Sequence, residues 1–251
     1  MNNIEGESTE GHTTRVIDQG LSRLRMLSVE MGALVIDQVA QAVHALLEAD
    51  GHSAELVLSR EPQVNHLRSK IDQDTFEFIA LHPLVAGDLR FTQGLTRATV
   101  EMERVGDESK KIARFALRLQ DGEPHEPVLS VANSLRHMAA LCTDMLRMAV
   151  RALDESNLIL AQHVIERDAE LDAEFESAMR RIFTLVMEGE PYLRATIDTV
   201  FALKGLERIG DHAKNICEYI VYMVHGKDIR HTSLESVAEE LRSRAARDSG
   251  Q

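Results

Sequence analysis

A chain of 251 residues has room for one or two domains, and its 44% hydrophobic and 27% charged content is enough to bury a sizeable core. Its formal net charge of −13 disfavours general binding to nucleic acid, where affinity comes from basic contacts to phosphate, and docking on an anionic lipid surface. With 4% aromatics, no Trp, 5 Pro and 14 Gly, it is poor in strand formers and breakers and predicts long helices.

In chain order, residues 1–16 are polar, rich in Glu, Ser, Thr and Gly, and read as a disordered lead-in without a hydrophobic signal region. From Leu21 a helical period begins. Leu24, Leu27, Met31, Leu34, Val35, Ala42, Ala45 and Leu46 fall mostly at steps of three and four, which line one helix face. Asp50-Gly51 breaks it. Ser53 is placed to cap a second helix that buries Leu56, Val64, Leu67, Ile71 and Phe78, with Pro62 as a kink point. A third helix follows the Gly87-Asp88 turn and carries Leu95, Met102, Val105, Ile112, Ala116 and Leu119. Residues 122–127 crowd Gly and Pro together and form the clearest linker. Helices four (about Val128–Glu155), five (about Leu158–Glu188) and six (about Tyr192–His225) repeat the layout. A charged tail over 229–251 has room for one short helix, Leu234–Arg242. No uninterrupted apolar run approaches the roughly 20 residues of a membrane span, so a cytoplasmic protein without membrane insertion is expected. Cys142 and Cys217 sit in apolar helical patterns and read as reduced core thiols.

The halves are repeats. Glu103-Arg104-Val105-Gly106-Asp107 matches Glu207-Arg208-Ile209-Gly210-Asp211 at an offset of 104, continuing through Lys110 and Ile112 to Lys214 and Ile216. Upstream the offset is 107, pairing Met31, Leu34, Asp37 and Ala42 with Met138, Leu141, Asp144 and Ala149, and Val57 and Arg60 with Val164 and Arg167. The change of three residues belongs in the turn before the third helix, where length variation costs least. The architecture expected is all-α: two tandem three-helix bundles, 17–121 and 128–228, joined by the short linker.

Spacing of four puts Glu103 above Asp107, and Glu207 above Asp211, on one helix face. Like charges at that spacing weaken a helix by a few tenths of a kcal/mol, and Gly106 and Gly210 cost about 1 kcal/mol each against Ala. Two readings account for a stretch that breaks two local rules twice. In the first, the glycine admits a neighbouring helix and the arginine pairs with a carboxylate. In the second, the paired carboxylates bind a hard cation, for which oxygen ligands suit magnesium, manganese, calcium or ferric iron better than zinc. Around the motif, Asp37, Asp144, Asn65 and Asp172 read as solvent-facing. Arg104 and Arg208 read as salt-bridge partners within the bundle, and Arg90 as a local ion pair with Asp88 or a neighbouring helix. His212 reads as exposed or capping. No His-x-x-x-His, Glu-x-x-His, phosphate loop or dinucleotide fingerprint is present, so neither a catalytic constellation nor an organic cofactor is indicated.

The duplicated Glu-x-x-x-Asp resembles the signature of the PhoU family of bacterial phosphate-signalling regulators. Pro83-Leu84-Val85-Ala86-Gly87-Asp88-Leu89-Arg90 is similar to the family's Pro-x-x-Ala-Ser-Asp-Leu-Arg. Met31-Gly32 resembles its helix-one Met-Gly stretch. Asn215 to Ile220 and Gly226 to His231 are similar to the end of proteobacterial members. Gly87 replaces the usual serine and His82 the usual glutamine, both away from the carboxylates. The resemblance implies a non-enzymatic, cytoplasmic, usually dimeric regulator that represses the phosphate-starvation response. Such a protein links the ATPase subunit of the phosphate ABC transporter to the sensor histidine kinase. It also implies iron, manganese or magnesium on Glu103, Asp107, Glu207 and Asp211. The competing expectations are a metal-carboxylate enzyme or metal store, and a plain helical scaffold.

Overall fold

The computed structural model describes residues 5–120, 125–189 and 191–226. They form seven helices and, among the described residues, no strand: α1 (Glu5–Glu48), α2 (Gly51–Leu81), α3 (Ala86–Gln120), α4 (Glu126–Ser130), α5 (Ala132–Glu155), α6 (Leu158–Met187) and α7 (Leu193–His225). The first repeat is the bundle α1–α2–α3, the second α5–α6–α7, as the internal repeat predicts.

The α1–α2 and α5–α6 turns are the same device in both repeats. Ala49 and Ser156, 107 residues apart, adopt left-handed conformations with φ of 50° and 51°. Each is followed by an Asx residue that caps the next helix. Asp50 accepts from the backbone N–H of His52 and Ser53, and Asn157 from those of Ile159 and Leu160. This corrects the expectation that Ser53 is the cap: its hydroxyl instead donates to Asp50 Oδ2 at 2.7 Å, holding the true cap in place. Pro62 sits inside an uninterrupted α2.

Other expectations shift. Helix α1 reaches back to Glu5, through most of the stretch read as a disordered lead-in. Extending an established helix costs far less than nucleating one. Helix four begins at Glu126 with Pro127 in its first turn, and Val131 (φ −118°, ψ 16°) divides it into α4 and α5. Residues 121–124 of the linker and the tail from 227 onward lie outside the described residues.

The two bundles pack α1 against α5 and α3 against α7, the latter being the most extensive helix pair. Both pairs are antiparallel. Arg25 Nη1 reaches the Asp154 carbonyl at 2.8 Å while Arg136 lies near Glu48. Gln93 accepts from the Tyr222 hydroxyl at one end of α3, and Arg118 meets Asp198 at the other. Met31, Val35, Leu46, Leu95, Met102, Ile112, Leu135, Met138, Leu146 and Leu206 are all buried in one continuous core. Cys142 and Cys217 are free and buried there, and burial pushes the Cys142 thiol up to about 12.

One helix stands apart by its low charge. The α1 segment Arg15–Glu48 is long enough to cross a membrane and holds an 18-residue window of mean hydropathy 1.3. Its low charge has another cause in this fold. Helices α2, α3 and α5 all pack on α1, so most of its circumference must be apolar or small.

Candidate functional site

Glu103 and Asp107 lie half-buried on the α3 side facing α2, and Glu207 and Asp211 lie half-buried on the α7 side facing α6. The expected placement of each pair on one face therefore holds in both repeats. The surroundings of the two pairs differ.

In the first repeat the carboxylates are engaged by cations. Lys110 Nζ donates to Asp107 Oδ1 at 2.8 Å and to Glu61 Oε1 at 2.7 Å, and Arg68 Nε lies 3.8 Å from Glu103 Oε2. Hydrogen bonds from Lys110 and then Asn65 hold the Glu61 carboxyl below its usual range. In the second repeat Lys214, the counterpart of Lys110, turns to Asp168 Oδ2 at 2.5 Å, and Lys204 pairs with Glu207 Oε1 at 2.5 Å. Among the described residues Asp211 makes no ion pair. Burial first, then the negative charges of Glu207, Asp168 and Asp172, push its carboxyl up to about 6. Asp172 is raised too, by burial and then by Asp168 and Glu207.

A raised carboxyl has a defined consequence for stability. The folded value of about 6 exceeds the ordinary 3.8, so the fold disfavours the charged form. That penalty is full above about pH 6 and is relieved as pH falls from about 6 toward 4. Asp211→Asn is therefore expected to raise the melting temperature of metal-free protein at pH 7.5, with the gain shrinking toward pH 5. Thermal unfolding followed by circular dichroism checks this, and a lower melting temperature at pH 7.5 would contradict it.

A hard cation is the group that the acidic faces suggest. Among the described residues no three His, Cys, Asp or Glu side chains converge in liganding geometry. The donor chemistry of the second repeat fits such an ion nonetheless. Its carboxylates repel one another, and Glu207 Oε2 is buried without a hydrogen-bond partner. Cations stand beside both faces: Lys110 and Arg68 at the first, Lys204 and Lys214 at the second.

The neighbouring residues sort as follows. Asp37 and Asp144 are exposed and pair with Arg60 and Arg147, and Asn65 is exposed and donates to Glu61. Arg104 and Arg208 serve the bundle, as expected. Arg104 Nη1 bonds Glu101 Oε1 at 2.9 Å, and Arg208 Nε reaches across from α7 to Glu108 on α3 at 3.3 Å. Arg90 lies against Gly226 at the end of α7 rather than pairing with Asp88. His212 overturns its reading as exposed. It is 7% exposed, and its Nδ1 lies 2.7 Å from Glu101 Oε2, which also accepts from Asn215 at 3.1 Å. Asp211 faces α6, and the next residue, about 100° further around the helix, turns inward to α3.

Sequence reasoning passed over four residues of this constellation: Arg68, Asp168, Glu101 and Glu108. Asp168 had a usable signal, since its equivalent at the 107 offset is Glu61, and each acid faces the equivalent lysine of its repeat, Lys214 and Lys110.

Known proteins share both the sequence pattern and the fold. A family model described as the PhoU domain matches residues 29–116 and 135–220, one match per repeat. A phosphate-specific transport system accessory protein PhoU homolog of Pseudomonas putida is 34% identical over 246 residues, 98% of this chain and 94% of its own length. The homolog of the same description from Pseudomonas aeruginosa is 33% identical over 239 residues, 95% of this chain and 97% of its own. The crystal structure of PhoU from Pseudomonas aeruginosa superposes with a TM-score of 0.78, covering 84% of this chain and 99% of that one at 33% identity. The phosphate transport system regulatory protein PhoU from Streptococcus pneumoniae gives a TM-score of 0.76 at 26% identity, over 84% of this chain and 98% of that one. With both repeats matched, the fold shared and relatives aligned nearly end to end, this chain belongs to the PhoU family.

Proposed function

We propose that this protein is a negative regulator of the phosphate-starvation response and a modulator of phosphate uptake. It acts as a cytoplasmic adaptor between the ATPase subunit of the phosphate ABC transporter and the phosphate-sensing histidine kinase. The observation that carries the reading is the end-to-end match to proteins named as accessory to a phosphate-specific transport system. That name describes a regulatory accessory rather than an enzyme, and it supports a role in regulating phosphate transport. The two named partners, a homodimeric state, and binding without nucleic acid or membrane insertion belong to the same proposal.

Metal binding is part of it. A cation at the second repeat would be held by Glu207 and Asp211, with Asp168 and Asp172 nearby, and would neutralise carboxylates that now repel one another. Its contribution would be charge neutralisation and rigidity between α6 and α7. Iron, manganese and magnesium all suit oxygen donors.

Deletion of the gene, with alkaline phosphatase read in phosphate-rich medium, tests the repressor role. Phosphatase is expected to rise to the level of phosphate-starved cells and to fall again on complementation. Unchanged phosphatase would overturn the reading. Purified protein should also capture the transporter ATPase subunit and the kinase's cytoplasmic part, and sedimentation should show a dimer.

A further inference from the structure

Acidic side chains outnumber basic ones by 41 to 28 in this chain, so an arginine near its surface ordinarily finds a carboxylate. Arg23 finds Asp74, Arg60 finds Asp37 and Arg208 finds Glu108. Two arginines near the start of α3 do not. Among the described residues Arg90 and Arg97 make neither an ion pair nor a hydrogen bond, and the Arg90 Nε is buried without an acceptor.

Arg90 and Arg97 are seven residues apart, two helical turns, so they share one edge of α3 about 10 Å apart along its axis. The end of α7 runs beside that edge. The Arg90 side chain lies against Gly226. The Arg97 guanidinium lies over two α7 rings, 5.9 Å from the centroid of Tyr219 and 5.7 Å from that of Tyr222. Between the arginines, Gln93 accepts from the Tyr222 hydroxyl at 2.8 Å. Contact with the rings restrains the Arg97 side chain and leaves its N–H donors without acceptors. An arginine held in this way loses little further freedom when an anion arrives.

Apolar residues continue the edge. Steps of four line up Val85, Leu89, Gln93 and Arg97 along one ridge, and Val85 and Leu89 are 67% and 49% exposed. Exposed aliphatics beside arginine and tyrosine are the make-up of a protein–protein contact, whereas a free inorganic anion would leave Val85 and Leu89 in water. The spacing suits a protein as well. A partner helix with two carboxylates seven residues apart repeats the separation of the arginines. The second repeat lacks this charge. At the offset of 104 Gln93 becomes Ile197 and Arg97 becomes Phe201, whose ring centroid lies 6.5 Å from that of Phe115.

We propose that the Arg90–Arg97 edge of α3 is a docking surface for an acidic, amphipathic helix of a protein partner, with Val85 and Leu89 receiving its apolar residues. This rests on the adaptor reading above and deepens it, because it gives one partner a surface that the second repeat does not duplicate. With a net charge of −13, the rest of the chain repels an acidic partner on the whole, so the edge also fixes its orientation.

The test titrates full-length protein separately with the purified transporter ATPase subunit and with the cytoplasmic part of the kinase, by calorimetry at low and high salt. Arg90→Gln with Arg97→Gln is expected to weaken binding of at least one of them by about tenfold or more, and to flatten the salt dependence of that binding. Ile197→Gln, at the equivalent register of α7, should leave the same binding intact. Arg90→Lys with Arg97→Lys keeps both charges and should fall between wild type and the glutamine variant. Unchanged affinity of the glutamine variant for both proteins would overturn the proposal and leave the adaptor reading standing. So would an unchanged salt dependence, or a dimer that dissociates in this variant, which would give the edge to a second copy. Binding of neither protein by wild type would overturn the adaptor reading and the proposal with it. Where circular dichroism shows the double variant misfolded, Arg97→Gln alone decides by the same measures.

Discussion

Replacing Glu101 by alanine is expected to lower the stability of the folded chain by about 3–5 kcal/mol, measured as a shift in the urea unfolding midpoint. Glu101 is 3% exposed in the α3–α7 contact that joins the two repeats. It accepts hydrogen bonds from Asn215 and pairs with His212, both on α7, and with Arg104 on its own helix. Truncation leaves His212 buried and Asn215 half-buried, both short of an acceptor, the buried one at a cost of about 1–3 kcal/mol, beside a new void. Glu101→Gln keeps the volume and one acceptor oxygen and should cost clearly less. The acid limb adds a second readout. Burial alone would raise the Glu101 carboxyl, but hydrogen bonds from His212 and Asn215 outweigh it and hold it below the ordinary 4.5. Its stabilisation is thus present above that ordinary value and is lost as pH falls through the lower folded one. Acid unfolding of Glu101→Gln should be correspondingly less steep. A loss below about 1 kcal/mol for the alanine variant would show that the repeats are held together elsewhere.

Leu171→Ala is expected to cost about 2–5 kcal/mol, as for other fully buried leucines, and part of that loss should return when Gly210→Ala is added. Leu171 on α6 is fully buried, and a Cβ built on Gly210 would overlap its Cδ2. Alone, Gly210→Ala gains about 1 kcal/mol of helix propensity but overpacks at a cost of about 1–3 kcal/mol. With Leu171 shortened, the new methyl fills vacated space, so the double variant should be more stable than the sum of the singles by about 1–2 kcal/mol. Gly106→Ala is the internal control. Its Cβ would meet Gln38 Oε1 at 3.3 Å, a tight contact that a small shift of that flexible side chain relieves, and Val64 Cγ1 at 3.6 Å, so its cost should be well below that of Gly210→Ala. Additivity of the Leu171 and Gly210 variants would show that the α6–α7 approach does not depend on this glycine.

Much of this could be read before any coordinates. Hydrophobic steps of three and four predict every long helix, because a bundle helix must present a continuous apolar stripe. The fall of the repeat offset from 107 to 104 lies between the second helix and the third-helix motif, but the turn itself does not shorten: residues 82–85 separate α2 from α3 and residues 188–192 separate α6 from α7. The change falls instead in the start of the third helix, α7 beginning closer to its motif than α3 does. What stayed hidden depends on partners distant in sequence. The His212–Glu101 pair spans 111 residues and exists only through the particular crossing of α3 with α7. No local pattern encodes that crossing, so a histidine next to Asp211 looked like surface. Arg68 was hidden differently. An isolated arginine on an amphipathic helix is unremarkable until packing of α3 brings Glu103 beside it. Helix caps fall between these cases: Asp50-Gly51 reads as a break in the helical period, and the Asp50 side chain caps the next helix.

The α3–α7 crossing has a consequence for how the two halves find each other. At the offset of 104, Glu101 corresponds to Gly205 and Glu108 to His212. In the chain as it stands, Glu101 faces His212, while Gly205 leaves room for Glu108, which Arg208 approaches from α7. Two copies of the first repeat docked in the same way would bury Glu101 against Glu108 twice over. Two copies of the second would set His212 against Gly205, with no carboxylate to receive the imidazole. Both homotypic pairings are penalised by buried charge or unfilled space, whereas the unlike pairing gives the His212 Nδ1 a carboxylate. The difference at these two registers thus favours a first half packed on a second half over either half packed on its own copy.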